Sequence, residues 1–162
     1  PATASFFNPP QATPPAKISE PLADGSTRVV HRMGDVGYFD DQGRLWFCGR
    51  KTQRLETAQG PLYTEQVEPV FNTLEGIART ALVGVGAPGQ QVPVLCYELK
   101  PGTSDSPALQ QRLRDHALAH PGTARIERFL VHPGFPVDIR HNAKIGREKL
   151  TVWAATRMEQ HA

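Results

Sequence analysis

From residue 64 onward the apolar residues of this chain change period several times, and that alternation limits its fold more than any other feature. "TEQVEPVFNTL" sets Val67, Val70, Phe71 and Leu74 at helical spacing, with Thr64 available as N-cap and Glu65 in the first turn. "ARTALVGVG" and "VPVLCYEL" read as two strands separated by "APGQQ". "SPALQQRLRDHALAH" opens with Ser106 as a cap and Pro107 at the first helical position, and it stacks Leu109, Leu113 and Ala117 on one face. "IERFLVH" is a further strand. A last helix is predicted from about Gly146 to Arg157, with Leu150, Trp153 and Ala154 facing inward. Helix, strand, strand, helix, strand, helix predicts an α+β fold, in which helices pack on a small sheet.

Before residue 64 the pattern is different. The prolines are densest in residues 1–27, around "NPPQATPP", so this segment can sustain neither a helix nor a central strand and is expected to wrap over a surface or to be mobile. "TRVVHRM" follows as a strand. "GYFD", the turn "DQG" and "RLWFCGR" together read as a β-hairpin, and residues 51–63 as irregular, with a short hairpin around "AQGP". Cys48 and Cys96 each lie in an apolar strand, which favours buried reduced thiols in a cytoplasmic protein. Thirteen arginines and five lysines are spread among acids for a net charge of +2, so no stripe for nucleic acid is present. No apolar run approaches the roughly 20 residues of a spanning helix. The start "PATASFFNPP" lacks the basic and apolar regions of a signal peptide, and its missing initiator methionine makes a piece of a longer protein plausible. The six histidines offer no metal-binding spacing; His116 and His120 form the one i, i+4 pair and read as surface residues.

Three stretches could carry chemistry. In "HRMGDVGYFDDQGRLWFCGRK", Asp35 lies between glycines, and its carboxylate could accept from two vicinal hydroxyls such as those of a ribose; equally, it could cap its own turn. Arg50 ends the hairpin in "GR", either as a fork of donors for a sugar or phosphate or as a surface arginine. Lys144, in "RHNAKIGREKL", follows a turn-like cluster and precedes a helix. A cation suits that end of a helix poorly on structural grounds, which hints at a charge placed for an anionic reactant. The alternative is a solvated lysine.

The order and spacing of these elements resemble the adenylate-forming superfamily of acyl-CoA synthetases, luciferases and peptide-synthetase adenylation domains. The resemblance covers nearly the whole chain. "NPPQATPPAKI" looks like the family's segment near the end of its large domain, "MGDVGYFDDQGRLWFCGRK" its "TGD" element with the following "GR", and "FPVDIRHNAKIGREKL" its C-terminal "GK" element. The resemblance implies that residues 1–50 end a large N-terminal nucleotide-binding domain, that 51–53 form a hinge at Lys51 and Thr52, and that 54–162 form a C-terminal lid domain of short sheets flanked by helices. Asp35 would bind the ribose hydroxyls of ATP with support from Arg50. Lys144 would bridge the substrate carboxylate and the α-phosphate when the lid closes. Mg²⁺ would be held by the N-terminal part, whose phosphate-binding loop and metal-binding glutamate this chain does not include, so the chain alone is expected to be inactive.

Departures from the family pattern narrow the reading. The hinge position carries Thr52 instead of aspartate or lysine. Gln59 and Glu56 stand where thioester-forming members place a tunnel glycine and a lysine, with Gly60 displaced by one, and "P-x-E-I-E" reads "TEQVE". Glutamine would narrow the tunnel and an acid would repel the phosphates of coenzyme A, so no coenzyme A is expected. "LET-AQGPLYTEQVE", "TALVGVG" and "FPVDIRHNAKIGREKL" are similar to the β-lactone synthetases of long-chain olefin biosynthesis. That resemblance implies a long-chain β-hydroxy acid as substrate, with its own hydroxyl expelling AMP, and other olefin-biosynthesis enzymes as partners. The alternatives are a long-chain acyl-CoA or acyl-AMP ligase, and a non-catalytic α+β binding module.

Overall fold

The computed structural model describes residues 17–31, 33–138 and 144–160, and the chain divides into two units, 1–47 and 48–162. In the first unit, β1 (Lys17–Pro21) pairs antiparallel with β2 (Thr27–His31), from Lys17 opposite His31 to Pro21 opposite Thr27. The proline-poor end of the opening segment thus forms one strand of a two-stranded sheet. Pro21, the strand's last residue, sits where the missing amide costs least. Residues 1–16, for which wrapping or mobility is expected, lie outside the described residues.

The predicted hairpin is present as β3 (Asp35–Phe39) and β4 (Leu45–Arg50). Its turn is organised by Asp40, whose carboxylate accepts from the Gln42 and Arg44 amides, the Arg44 guanidinium and the Trp46 indole. These donors, the Trp46 indole foremost, hold the Asp40 carboxyl down at about 2. Gly37 is required in β3, because a Cβ there would stand 2.7 Å from the Trp46 carbonyl oxygen. The division between units falls within β4, after Phe47.

The second unit opens with a 3-10 turn (Lys51–Gln53) and the short hairpin expected around "AQGP", formed by β5 (Leu55–Thr57) and β6 (Gly60–Leu62). Helix α1 (Thr64–Asn72) follows, two residues shorter than the apolar pattern suggests. Thr64 is not its N-cap. Tyr63 holds that position with extended backbone, and Thr64 is the first helical residue, buried, with no hydrogen-bond partner for its hydroxyl among the described residues. Burying Leu62 of β6 and Val67 of α1 brings the chain into the helix one residue early, and packing overrides the cap preference.

Strand β7 (Ile77–Val85) pairs antiparallel with β8 (Val92–Leu99), and β9 (Arg128–Val131) joins β8 in parallel, for the order β7-β8-β9. Between β8 and β9 runs helix α2 (Pro107–Leu118). Ser106 accepts the Leu109 amide as its cap, and Leu109, Leu113 and Ala117 are buried as expected. A two-residue pair, β10 (Val137–Asp138) with β11 (Lys144–Ile145), precedes helix α3 (Arg147–Glu159), which buries Leu150 and Ala154 and half-buries Trp153.

The sheet is covered on both faces, so its strands read as nearly continuous apolar runs. Leu82, Leu95, Tyr97 and Phe129 pack with Val67 and Phe71 of α1 and Leu113 of α2. Ala81, Val83, Val94 and Cys96, on the opposite face by the period of two, pack with Phe135, Leu150 and Ala154. Both cysteines are buried thiols outside any disulfide, and burial pushes the Cys96 thiol up to about 12. His116 is half-buried rather than a surface residue. Its Nε2 lies 2.9 Å from the Val70 carbonyl oxygen, and its ring meets Phe71 edge-on. Among the described residues no helix is long and apolar enough to cross a membrane.

Candidate functional site

Lys144 lies in strand β11, opposite Asp138 of β10, not in the turn the sequence suggests. It is exposed. Two buried or half-buried charge clusters hold the elements on either side of it. Beyond β11, Arg147 opens α3 and reaches back to Glu68 of α1 with both guanidinium prongs, at 2.6 and 3.0 Å, while it donates to the Leu82 carbonyl oxygen at 3.1 Å. Glu68 also accepts the Leu82 amide at 2.7 Å, so helix α1, strand β7 and helix α3 meet at one ion pair. The side chains are only 18% and 12% exposed, where a two-pronged grip is strongest. The Gly146 amide donates to the Pro136 carbonyl oxygen at 2.6 Å and closes the strand pair from this side.

On the other side, Phe135 is buried and its amide donates to Glu98 of β8. Arg79 of β7 pairs with the same carboxylate, with Nη2 3.0 Å from Oε1, and its guanidinium lies 5.2 Å from the Phe135 ring centroid. Burial by itself would raise the Glu98 carboxyl, but the Arg79 hydrogen bond, the Phe135 amide and the charges of Arg79 and His132 bring it below its ordinary value. His132 accepts the Gly134 amide at Nδ1, 3.0 Å, and its ring meets Trp153 edge-on at 4.4 Å. Burial lowers this imidazole's pKa, against the pull of the Glu98 carboxylate.

Arg50 ends β4 and is exposed; the next three residues form the 3-10 turn. The preceding Gly49 has a φ of +113°, and a Cβ there would come within 2.9 Å of the Glu65 side chain, so only glycine brings the strand past the start of α1 without strain. Past the turn, a cleft of about 640 Å³ is lined on one side by Thr52, Gln53 and Arg54 and on another by Ile145, Gly146 and Arg147. The segment after Arg50 and the segment after Lys144 therefore share one concavity of the second unit. Asp35 stands in the first unit, exposed at the start of β3 behind Gly34, whose φ is +78°.

The β5–β6 hairpin is held from two sides. The Glu56 amide donates to the Gln91 side-chain oxygen at 2.7 Å, and the Gln91 amide donates to the Glu56 carbonyl oxygen at 3.1 Å. Arg125 donates to the carbonyl oxygens of Gln59, Gly60 and Pro61, at 2.8, 3.4 and 2.5 Å. Glu56 is ion-paired with Arg54, which offsets the acid's charge. Among the described residues no three His, Cys, Asp or Glu side chains gather as metal ligands.

The sequence points to none of Glu68, Arg79, Glu98, Arg125 and Arg147 as functional residues. Each is a charged residue at an ordinary polar position, and its partner lies between 19 and 79 residues away along the chain. The one usable signal is that Glu68 and Arg147 fall inside the motif-like stretches "TEQVE" and "KIGREK".

No family model matches the chain. It is 76% identical over 161 residues, 99% of its length, to the olefin beta-lactone synthetase of Stenotrophomonas maltophilia, and 67% identical over 155 residues, 94% of its length, to that of Xanthomonas campestris pv. campestris. The chain spans 29% and 28% of the length of these curated relatives. Its fold is similar to that of the o-succinylbenzoate CoA synthetase of Bacillus subtilis solved with its acyl-adenylate intermediate, with a TM-score of 0.68 and 21% identity over 90% of this chain and 27% of that one. In sequence and in its α+β fold, the chain belongs to the adenylate-forming superfamily and matches the C-terminal portion of its olefin beta-lactone synthetases.

Proposed function

We propose that this chain is the C-terminal part of an ATP-dependent enzyme that activates a long-chain β-hydroxy acid as its acyl-adenylate and closes it to a β-lactone. The observation that carries the reading is the 76% identity to an olefin beta-lactone synthetase across 161 residues. In the first step a carboxylate oxygen of the acid attacks the α-phosphorus of ATP, and pyrophosphate leaves. In the second the β-hydroxyl oxygen attacks the activated carbonyl carbon, the bond to AMP breaks, AMP leaves and the hydroxyl proton is released. The nucleophile belongs to the substrate, so the ring closes without a carrier.

The roles are those that the resemblance to the adenylate-forming superfamily implies, and the residues' chemistry suits them. Asp35 accepts from the two ribose hydroxyls, and Arg50 adds donors to the same sugar. Lys144 sets its ammonium between carboxylate and α-phosphate, offsetting the negative charge that gathers as the oxygen approaches phosphorus. Lys51 and Thr52 act as the hinge on which the lid, residues 54–162, turns. Mg²⁺ is held by the N-terminal part of the longer enzyme, which also supplies the phosphate-binding loop, so the chain alone is inactive. Coenzyme A has no role: Gln59 is exposed on the β5–β6 hairpin and, with its carbonyl held by Arg125, would stand in the way of a pantetheine arm.

The test is Lys144→Ala in the full-length enzyme, read by ATP–pyrophosphate exchange with a β-hydroxy acid. A loss of about 10²–10³ in rate is expected, the usual effect of removing one transition-state charge partner. Exchange close to wild type would reject the role of Lys144 and favour a non-catalytic module. Running the wild type with and without coenzyme A separates the remaining alternatives. A thioester product indicates an acyl-CoA ligase, a released acyl-adenylate an acyl-AMP ligase, and a β-lactone the ring-closing synthetase.

A further inference from the structure

Lys144 rides on a strand of two residues, and a pair of such strands has little stability of its own in water. Its position has to be set by what lies on either side. Following the chain away from the β10–β11 pair leads, in each direction, to a carboxylate shared between a guanidinium and a backbone amide. Before β10 the carboxylate is Glu98, which takes the Phe135 amide and the Arg79 fork. After β11 it is Glu68, which takes the Leu82 amide and the Arg147 fork. One carboxylate lies on β8 and the other on α1, so the strand pair is tied to the sheet on one side and to the helix packed against it on the other.

We propose that Glu98 with Arg79, and Glu68 with Arg147, are positioning residues for Lys144, two ionic anchors that set where its ammonium group stands. The inference rests on the proposed role of Lys144 in adenylate formation. Apolar packing alone holds a short strand at the right depth but lets it slide, whereas a planar fork on a carboxylate fixes orientation as well. The Gly146 amide, bonded to the Pro136 carbonyl oxygen, reports on whether the strand pair is closed.

The deciding variant is Glu98→Gln, which keeps an oxygen for the Phe135 amide but removes the charge that holds Arg79. In the full-length enzyme it lowers the rate of adenylate formation by about 10- to 100-fold, as a misplacement of about 1 Å does, with KM for ATP within about twofold. In this chain it speeds hydrogen exchange of the Gly146 amide by at least about tenfold, while the Leu113 amide in α2 keeps its protection. In a Lys144→Ala background Glu98→Gln costs no further rate, because the anchor acts only through that lysine. An equal additional loss in that background, or unchanged rate and unchanged Gly146 exchange, overturns the proposal. If Lys144→Ala itself leaves adenylation intact, the catalytic reading fails on its own, and Gly146 exchange still decides whether Glu98 anchors the strand pair. Should Glu98→Gln not fold, Arg79→Lys takes its place with the same expectations, since it keeps the charge and loses the fork.

Discussion

The ion pair of Glu68 and Arg147 makes a prediction about the sign of a mutational effect. Each partner is largely withdrawn from water, at 12% and 18% exposure, and the two share four hydrogen bonds with each other and with the backbone of Leu82. Removing one partner from such a pair strands the other charge, at a cost of about 3–5 kcal/mol; the residual exposure points to the lower end, about 3 kcal/mol. Glu68→Gln alone should cost about that much, because Arg147 loses its counter-charge. In an Arg147→Met background the stranded charge is Glu68 itself. There Glu68→Gln should be neutral or stabilising, since the amide still accepts from the Leu82 N–H. The assay is urea unfolding of the four members of the cycle. With a urea dependence of about 2 kcal/mol/M, the single Glu68→Gln variant loses about 1.5 M in midpoint. An equal cost of Glu68→Gln in both backgrounds, within about 0.5 kcal/mol, would refute the claim that these two charges stabilise each other.

Other expectations concern single sites. His132 has a folded pKa below its ordinary 6.5, so the unfolded chain binds the extra proton first. The stability this residue contributes is complete above pH 6.5 and is lost as the pH falls from there through the lower folded pKa, and His132→Gln should shrink the drop in unfolding midpoint between pH 7.5 and 5.5. Gly49→Ala forces a side chain onto a φ of +113° and should cost about 1–3 kcal/mol in the same unfolding assay. Ser106→Ala removes the cap of α2 and should cost about 1 kcal/mol. Neither Cys48 nor Cys96 should react with a thiol reagent at pH 8 until the chain is unfolded, because both are buried; a native chain that labels within minutes would contradict the packing around β4 and β8.

Helix α2 shows how much of the architecture is legible in the sequence. Its cap, its first-turn proline and its three buried residues can all be named from "SPALQQRLRDHALAH", because every signal involved lies within one segment. The same holds for β7 and β8, whose apolar runs are of strand length and are bounded by the turn residues of "APGQQ". Helix α1 is the counterexample. Thr64 has the chemistry of a cap, but the need to bury residues on both sides of it carries the chain into the helix one position earlier. Strands β10 and β11, at two residues each, are too short to show any periodicity, so Lys144 reads as part of a turn until its partner Asp138 is seen across from it.

For the site, the sequence offers Asp35, Arg50 and Lys144 as candidates through the order and spacing of motifs that resemble the adenylate-forming superfamily, since each residue taken by itself has an equally ordinary structural reading. Tertiary structure decided what holds the neighbourhood of Lys144. The physical reason is range. Periodicity, caps and turns act over a few residues, whereas Glu68 meets Arg147 across 79 positions and Glu98 meets Arg79 across 19, through packing that no local pattern encodes.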